Sequence, residues 1–316
     1  MAVENFSGRL AVVTGGGTGM GRELVRQLAA AGADVAMCDL NADEMAETAR
    51  LVDDDGSTST VTAHRCDVVD EDGLRAFAEA VRDEHETDQL NLLFNNAGIG
   101  GGGSFVDDER ESWERTFNIC WNGVYLTSRV FLPMLLAADA GAIVNTSSIN
   151  GFWASVGPDV PHTAYSAAKF AVKGFTEALI ADLRVNAPHL SAHVVMPGHI
   201  GTSIALNSTE VHGGVDVVAL RKRLALRGVD VDMLSDEELE ALVVERGRSF
   251  RDEAPTTAAQ AAGIILDGVR QGQWRILVGT DADDIDDLVR ADPWAAYDPG
   301  FIDRIQAKGH LGGLLR

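Results

Sequence analysis

Cysteine is scarce in this chain of 316 residues: Cys38, Cys66 and Cys120 stand far apart and leave an odd number. That argues against a disulfide framework or a zinc site built on paired cysteines, and it fits a reducing, cytoplasmic setting. Basic residues are also in deficit, 26 Lys and Arg against 48 Asp and Glu, for a net charge of −22. Such a chain repels phosphate backbones and anionic bilayers, so neither nucleic acid nor membrane is expected as a partner. No run reaches the roughly 20 continuous apolar residues of a membrane span, and the short polar stretch Met1–Arg9 is not expected to act as a secretory leader. Internal repeats and low-complexity tracts are missing too. The tail segment with Asp281, Asp283, Asp284, Asp286 and Asp287 lacks the alternating ligands and turn glycine of a calcium loop. It reads as a solvated acidic helix start, and no metal is expected.

Seven short apolar runs are present instead: Leu10–Val13, Val35–Cys38, Val61–Cys66, Leu90–Phe94, Ala142–Thr146, Ala192–Met196 and Arg275–Val278. Several lack polar alternation, as strands buried on both faces do, and helical patterns separate them. Met20, Leu24, Val25 and Leu28 recur at helical spacing until Gly32. The pattern predicts an α/β fold: one doubly wound, seven-stranded, mostly parallel sheet with helices on both faces, forming a single domain over 1–316. The rhythm breaks at 203–254, a predicted helical insertion in which Ser235 and Glu238 form a capping box. Residues 281–316 extend the chain beyond the last strand.

Thr14-Gly15-Gly16-Gly17-Thr18-Gly19-Met20-Gly21 follows the first strand and opens the first helix. Gly15, Gly17, Gly19 and Gly21 let the backbone turn tightly and approach a pyrophosphate at the helix's positive end, with Thr18 and Met20 between them. Asp39 ends the second strand, where a carboxylate accepts from adenosine ribose hydroxyls and repels a 2′-phosphate, favouring NAD over NADP. Arg22 reads as a first-turn arginine. Asp67 ends the third strand and suits either an adenine amino group or the cap of the next turn. Asn95-Asn96-Ala97-Gly98 closes the fourth strand with small residues that allow close backbone contact with a cofactor. The glycine run Gly100–Gly103 reads as a mobile loop without chemistry.

Tyr165 and Lys169 stand four residues apart, so a helix puts them on one face. An ammonium beside a phenol favours the phenolate and brings a poor base toward working range, and it can also hold a ribose hydroxyl. Upstream, Ile143–Thr146 leads into Ser147-Ser148, placing hydroxyls at a strand's carboxyl end, where open α/β sheets bind ligands.

Together these residues resemble the short-chain dehydrogenase/reductase family, from about Leu10 to Thr202 and again across Pro255 to Gly279. The motifs carrying the resemblance are the Thr14–Gly21 loop, Asp39, Asp67, Asn95–Gly98, Ser147-Ser148, Tyr165, Lys169 and Pro197-Gly198. The resemblance implies a Rossmann-like fold and NAD as cofactor. It implies that Ser148 polarises the substrate oxygen, Tyr165 exchanges the proton and Lys169 tunes it. It places Val68 beside Asp67, and Asn95, Ala97 and Gly98 among the cofactor contacts, along with Tyr165 and Lys169. Pro197 and Gly198 begin a turn around the nicotinamide, with the Ile200 backbone and Thr202 near the carboxamide. A homodimer or homotetramer is implied as well. The family's usual asparagine, three residues before Gly123, is here Cys120, read as a small buried residue.

The expected activity is interconversion of a secondary alcohol and a ketone by hydride transfer. The insertion is expected to form a lid, with Ile204, Leu206, Val215, Val217, Val218 and Leu220 facing an apolar or bulky substrate, and Phe152 and Trp153 as further walls. Two other functions fit the pattern: an NAD-binding sensor or scaffold without catalysis, and an epimerase or dehydratase that retains its cofactor.

Overall fold

The computed structural model describes residues 3–157, 160–226, 229–231 and 233–310. The chain begins with β1 (Leu10–Thr14), α1 (Gly19–Ala30), β2 (Asp34–Asp39), α2 (Ala42–Asp54), β3 (Val61–Arg65), α3 (Glu71–Glu84) and β4 (Leu92–Asn95). It continues through α4 (Arg110–Phe117), a π-helical turn (Asn118–Asn122), α5 (Gly123–Ala137), β5 (Gly141–Thr146), α6 (Thr163–Asn186) and β6 (Leu190–Pro197). Then follow β7 (Ile200–Gly201), α7 (Ile204–Val211), α8 (Val217–Leu226), α9 (Asp236–Asp252) and β8 (Thr256–Thr257). The last elements are α10 (Ala258–Arg270), β9 (Arg275–Val278), α11 (Thr280–Ala291) and α12 (Phe301–Ala307).

Seven strands form one sheet in the order β3-β2-β1-β4-β5-β6-β9, and every pairing in it is parallel. Alternate residues feed two cores. Ala11, Val13, Val35, Met37, Phe94 and Val144 meet Leu24, Leu28, Ile265 and Leu266 of α1 and α10. Leu10, Val12, Leu93 and Ile143 meet Leu74, Phe77, Phe131 and Leu183 of α3, α5 and α6 on the other face. Burial on both faces explains why these strands are continuous apolar runs. The strand order reverses between β1 and β4, and the carboxyl ends there open the crevice in which such sheets bind ligands. Arg110–Ala137 is long and apolar enough to cross a bilayer by composition, yet it packs Val124, Phe131, Met134 and Leu135 into the molecule as a core helix.

The described residues of 203–254 include α7, α8 and α9, and Ser235 and Glu238 form the capping box that opens α9. The tail departs from expectation. Asp281 and Asp286 are buried rather than solvated: Asp281 lies against Gly198 and Gly279 and Asp286 against Arg275, while another part of α11 joins α12 in a third core with Ile149, Trp153, Ile285, Phe301 and Ile305. Asp286 receives both Nη atoms of Arg275, at 2.8 and 2.5 Å. Residues 311–316 of the extension lie outside the described residues.

Candidate active site

A continuous crevice runs along the carboxyl ends of the strands. Its first half, about 630 Å³, is lined by Gly15, Thr18, Gly19, Met20, Asp39, Asp67, Val68, Ala97, Gly98 and Thr202. Gly15 has φ +67° and Gly19 φ +54°, and a Cβ on Gly19 would press on the Thr202 side chain. A Cβ on Gly21 would collide with the Gly15 carbonyl, so Gly21 serves close helix–loop packing rather than lining. Gly17 acts through its N–H, which donates to Asp39 Oδ2 at 3.0 Å. These glycines leave a backbone-walled cradle at the amino end of α1, which fits a dinucleotide pyrophosphate. Arg22 is occupied: it donates to the Gly17 carbonyl and Thr48 Oγ1 and pairs with Glu44 at 2.5 Å.

Asn95 does not line the crevice. Its Nδ2 donates to Asn145 Oδ1 at 2.7 Å and Ser128 Oγ at 2.9 Å in a buried network. Asn96 takes the place beside the cradle, donating from Nδ2 to the carbonyls of Thr14 and Gly15.

The second half, about 880 Å³, contains Ser148, Tyr165 and Lys169 together with Pro197, Gly198, Ile200 and Thr202. Ser148 caps a short helical turn after β5 and accepts from the Asn150 N–H at 3.1 Å. Lys169 is 3% exposed. Its Nζ donates to the Thr146 carbonyl at 2.9 Å and lies 5.3 Å from the Tyr165 ring centroid. Ser147 holds the α6 backbone by donating to the Lys169 carbonyl at 2.7 Å. The Tyr165 phenol lies above its ordinary value: burial raises it most, Lys169 and Ser148 pull it down, and Cys120 adds to the rise. Lys169 pulls the phenol down as its position predicts, but in the ligand-free protein desolvation outweighs that pull and the net value stays above the ordinary one.

Cys120 lies in the π-helical turn, fully buried, and its Sγ donates to the Ile99 carbonyl at 3.1 Å. A Cβ on Gly98 would stand 3.4 Å from Lys169 Nζ and 3.6 Å from Cys120 Sγ, so the lysine and the thiol both approach this glycine. In the same turn Asn122 Nδ2 donates to Asn118 Oδ1 at 2.9 Å.

Among the lid residues, Ile204, Val215, Val218 and Leu220 line the cavity. Leu206 is turned toward Gly247 of α9, and neither it nor Val217 lines the cavity. Phe152 is not a wall, and Trp153, though at the cavity edge, is only 1% exposed. Its ring packs against Phe301 and its Nε1 donates to the Ala296 carbonyl at 2.8 Å.

Sequence reasoning missed three histidines in this half: His162, His199 and His212. His162 lies 4.8 Å from the Tyr165 ring, centroid to centroid, and burial pushes its imidazole down to about 4. His212 reaches the Gly100 carbonyl at 3.0 Å. Gly100–Gly103 also has structural work: the Gly102 and Gly103 carbonyls accept from the Ala164 and Thr163 N–H groups that begin α6. The signal was available, since a glycine run directly after β4 borders the crevice.

The family model described as short chain dehydrogenase matches residues 9–212. The chain belongs to the short-chain dehydrogenase/reductase family. A Mycobacterium tuberculosis protein that carries the name oxidoreductase SadH is 33% identical over 288 residues, covering 91% of this chain and 92% of the relative. A solved short-chain dehydrogenase/reductase from Burkholderia phymatum in complex with NAD superposes with a TM-score of 0.75 at 26% identity, covering 93% of this chain and 97% of that one. A metagenomic short-chain oxidoreductase in complex with NADP gives 0.54 at 30% identity, covering 61% of this chain and 83% of that one. The chain is therefore an oxidoreductase-family protein with a nicotinamide-cofactor fold.

Proposed function

We propose that the protein is an NAD-dependent oxidoreductase interconverting a secondary alcohol and a ketone, with Tyr165 as acid and base. The observation carrying this reading is the convergence of Ser148, Tyr165 and buried Lys169 in one cavity that continues into the glycine-walled cradle. A bound nicotinamide supplies or accepts the hydride. In the reducing direction the carbonyl oxygen receives a hydrogen bond from Ser148 and the proton from the Tyr165 hydroxyl, while Lys169 stabilises the phenolate that remains. Oxidation runs the same proton back to Tyr165.

Asp39 supports NAD over NADP: its carboxylate lines the first half of the crevice beside Glu44 and Asp67, and of the two cations near it Arg22 is paired with Glu44 while Arg65 donates from Nε to the Leu40 carbonyl. A 2′-phosphate would meet negative charge there. The substrate is largely apolar and not anionic. Ile149, Ile204, Val215, Val218 and Leu220 supply apolar walls, Asp107, Asp108, Glu109 and Asp216 outnumber Lys222 and Arg246, and the His162 imidazole is neutral.

The test is a screen of bulky secondary alcohols and ketones with NAD and NADP, followed by Tyr165→Phe. Turnover should fall by about 10³-fold with NAD still bound; a variant as active as the parent would refute the mechanism. A kcat/KM higher with NADP would refute the cofactor assignment.

A further inference from the structure

Behind the turn that follows β6 lies an acid with an unusual setting. Asp281, in the first turn of α11, is 1% exposed. Its Oδ2 accepts from the His199 backbone N–H at 2.6 Å, and its Oδ1 is buried with no hydrogen-bond partner among the described residues. A Cβ at Gly198 would collide with both carboxylate oxygens, and one at Gly279, where φ is +100°, would collide with Oδ1. The carboxylate therefore fills a slot that two glycines keep open. The Gly198 N–H donates to the Val278 carbonyl at 3.0 Å, holding the turn against β9. On the opposite side, His199 Nε2 meets the Phe250 carbonyl at 2.6 Å and its ring packs on Phe250 of α9.

A buried carboxylate without a paired cation is costly, and a neutral side chain would plug the same slot without that cost. The amino end of α11 offsets part of the charge. What the carboxylate adds is one short, directed, charge-assisted bond to the His199 N–H. That bond fixes the backbone leading to Ile200 and Thr202, both of which line the cavity.

We propose that Asp281 is a positioning residue for the nicotinamide end of the cofactor, so that the carboxyl-terminal extension is part of the cofactor site. This rests on the cofactor reading above. The turn from Pro197 to Thr202 is held at the correct height over the crevice by a carboxylate supplied from beyond the last strand.

The experiment titrates the full chain with NADH and with ADP-ribose, which shares the adenosine, phosphates and second ribose but has no nicotinamide. Asp281→Ala is expected to weaken NADH by about tenfold, the scale of one charge-assisted hydrogen bond, and to leave ADP-ribose within about twofold. Asp281→Asn keeps an acceptor of the same size and is expected to restore NADH to within about threefold of the parent. Gly198→Ala, which displaces the carboxylate sterically, is expected to reproduce the NADH-specific loss and serves as the second test if Asp281→Ala does not fold. Equal weakening of both ligands would make Asp281 a general scaffold residue and overturn the proposal, as would unchanged NADH affinity in Asp281→Ala or Gly198→Ala. Failure of the parent to bind either ligand would instead overturn the cofactor reading, and this proposal with it.

Discussion

At the scale of single residues, the chemistry turns on competing influences at one hydroxyl. Burial lifts the Tyr165 phenol and Lys169 lowers it, with burial prevailing in the ligand-free protein. A raised phenol keeps its proton at neutral pH, so the proton-donating form dominates there and the base form appears only on the alkaline side of the ordinary tyrosine range. Ketone reduction should therefore stay level through neutral pH and fall at high pH, while alcohol oxidation rises with pH. Lys169→Met removes the downward influence and should move the oxidation limb at least about one pH unit further alkaline. Initial rates in both directions between pH 6 and 11 measure this; an oxidation limb that stays in place contradicts the role given to Lys169. Ser148, Tyr165 and Lys169 were legible because their spacing and strand-end context are local features. His162 and His212 were not, since their places in the crevice depend on the chain beyond the sheet: His162 packs on Tyr165, and His212 reaches back from the end of α7.

At the scale of elements, burial on both faces made β1, β2, β4, β5 and β6 readable, and local capping did the same for α9. The seven apolar runs correspond to β1–β6 and β9, with small shifts at their ends. Ser235 with Glu238 announces α9 because a capping box involves residues only three apart. The acids of α11 were misread for a related reason. A run of aspartates shows charge but not which face is covered: Asp281 lies against Gly198, Gly279 and the His199 N–H, and Asp286 against Arg275. Cys120 likewise sits in a π-helical turn that ideal α-helical spacing does not anticipate. The pairing of Asp286 with Arg275 joins α11 to β9, and these side chains are only 8% and 13% exposed. Asp286→Ala leaves a buried guanidinium without its carboxylate, and such a loss costs about 3–5 kcal/mol. Arg290, whose side chain is 62% exposed, contributes little to that figure. Urea unfolding should show a lower midpoint at unchanged slope; a midpoint like the parent's would mean the ion pair does not hold the extension.

At the scale of the whole molecule, two electrostatic influences pull in opposite directions as pH falls. A net charge of −22 repels itself at neutral pH, and protonating surface carboxylates relieves that repulsion. Buried and half-buried imidazoles act the other way. Burial lowers His162 to about 4, and it also lowers His85 and His193. A histidine whose folded value lies below its unfolded value, about 6.5, contributes stability above that value and loses it as pH falls. For His162 the loss spans about pH 6.5 down to about 4. Surface carboxylates titrate mostly near the lower end of that window, so the histidine effect should prevail first. Thermal midpoints are therefore expected to drop between pH 6.5 and 5, and His162→Gln should flatten part of the drop. Salt distinguishes the two influences: it screens surface repulsion and should raise the midpoint at pH 7, but it should recover less of the loss at pH 5, which belongs to partly or fully buried imidazoles. A midpoint that holds steady or rises to pH 5 would show that relief of the acidic surface, and not the buried histidines, governs acid stability.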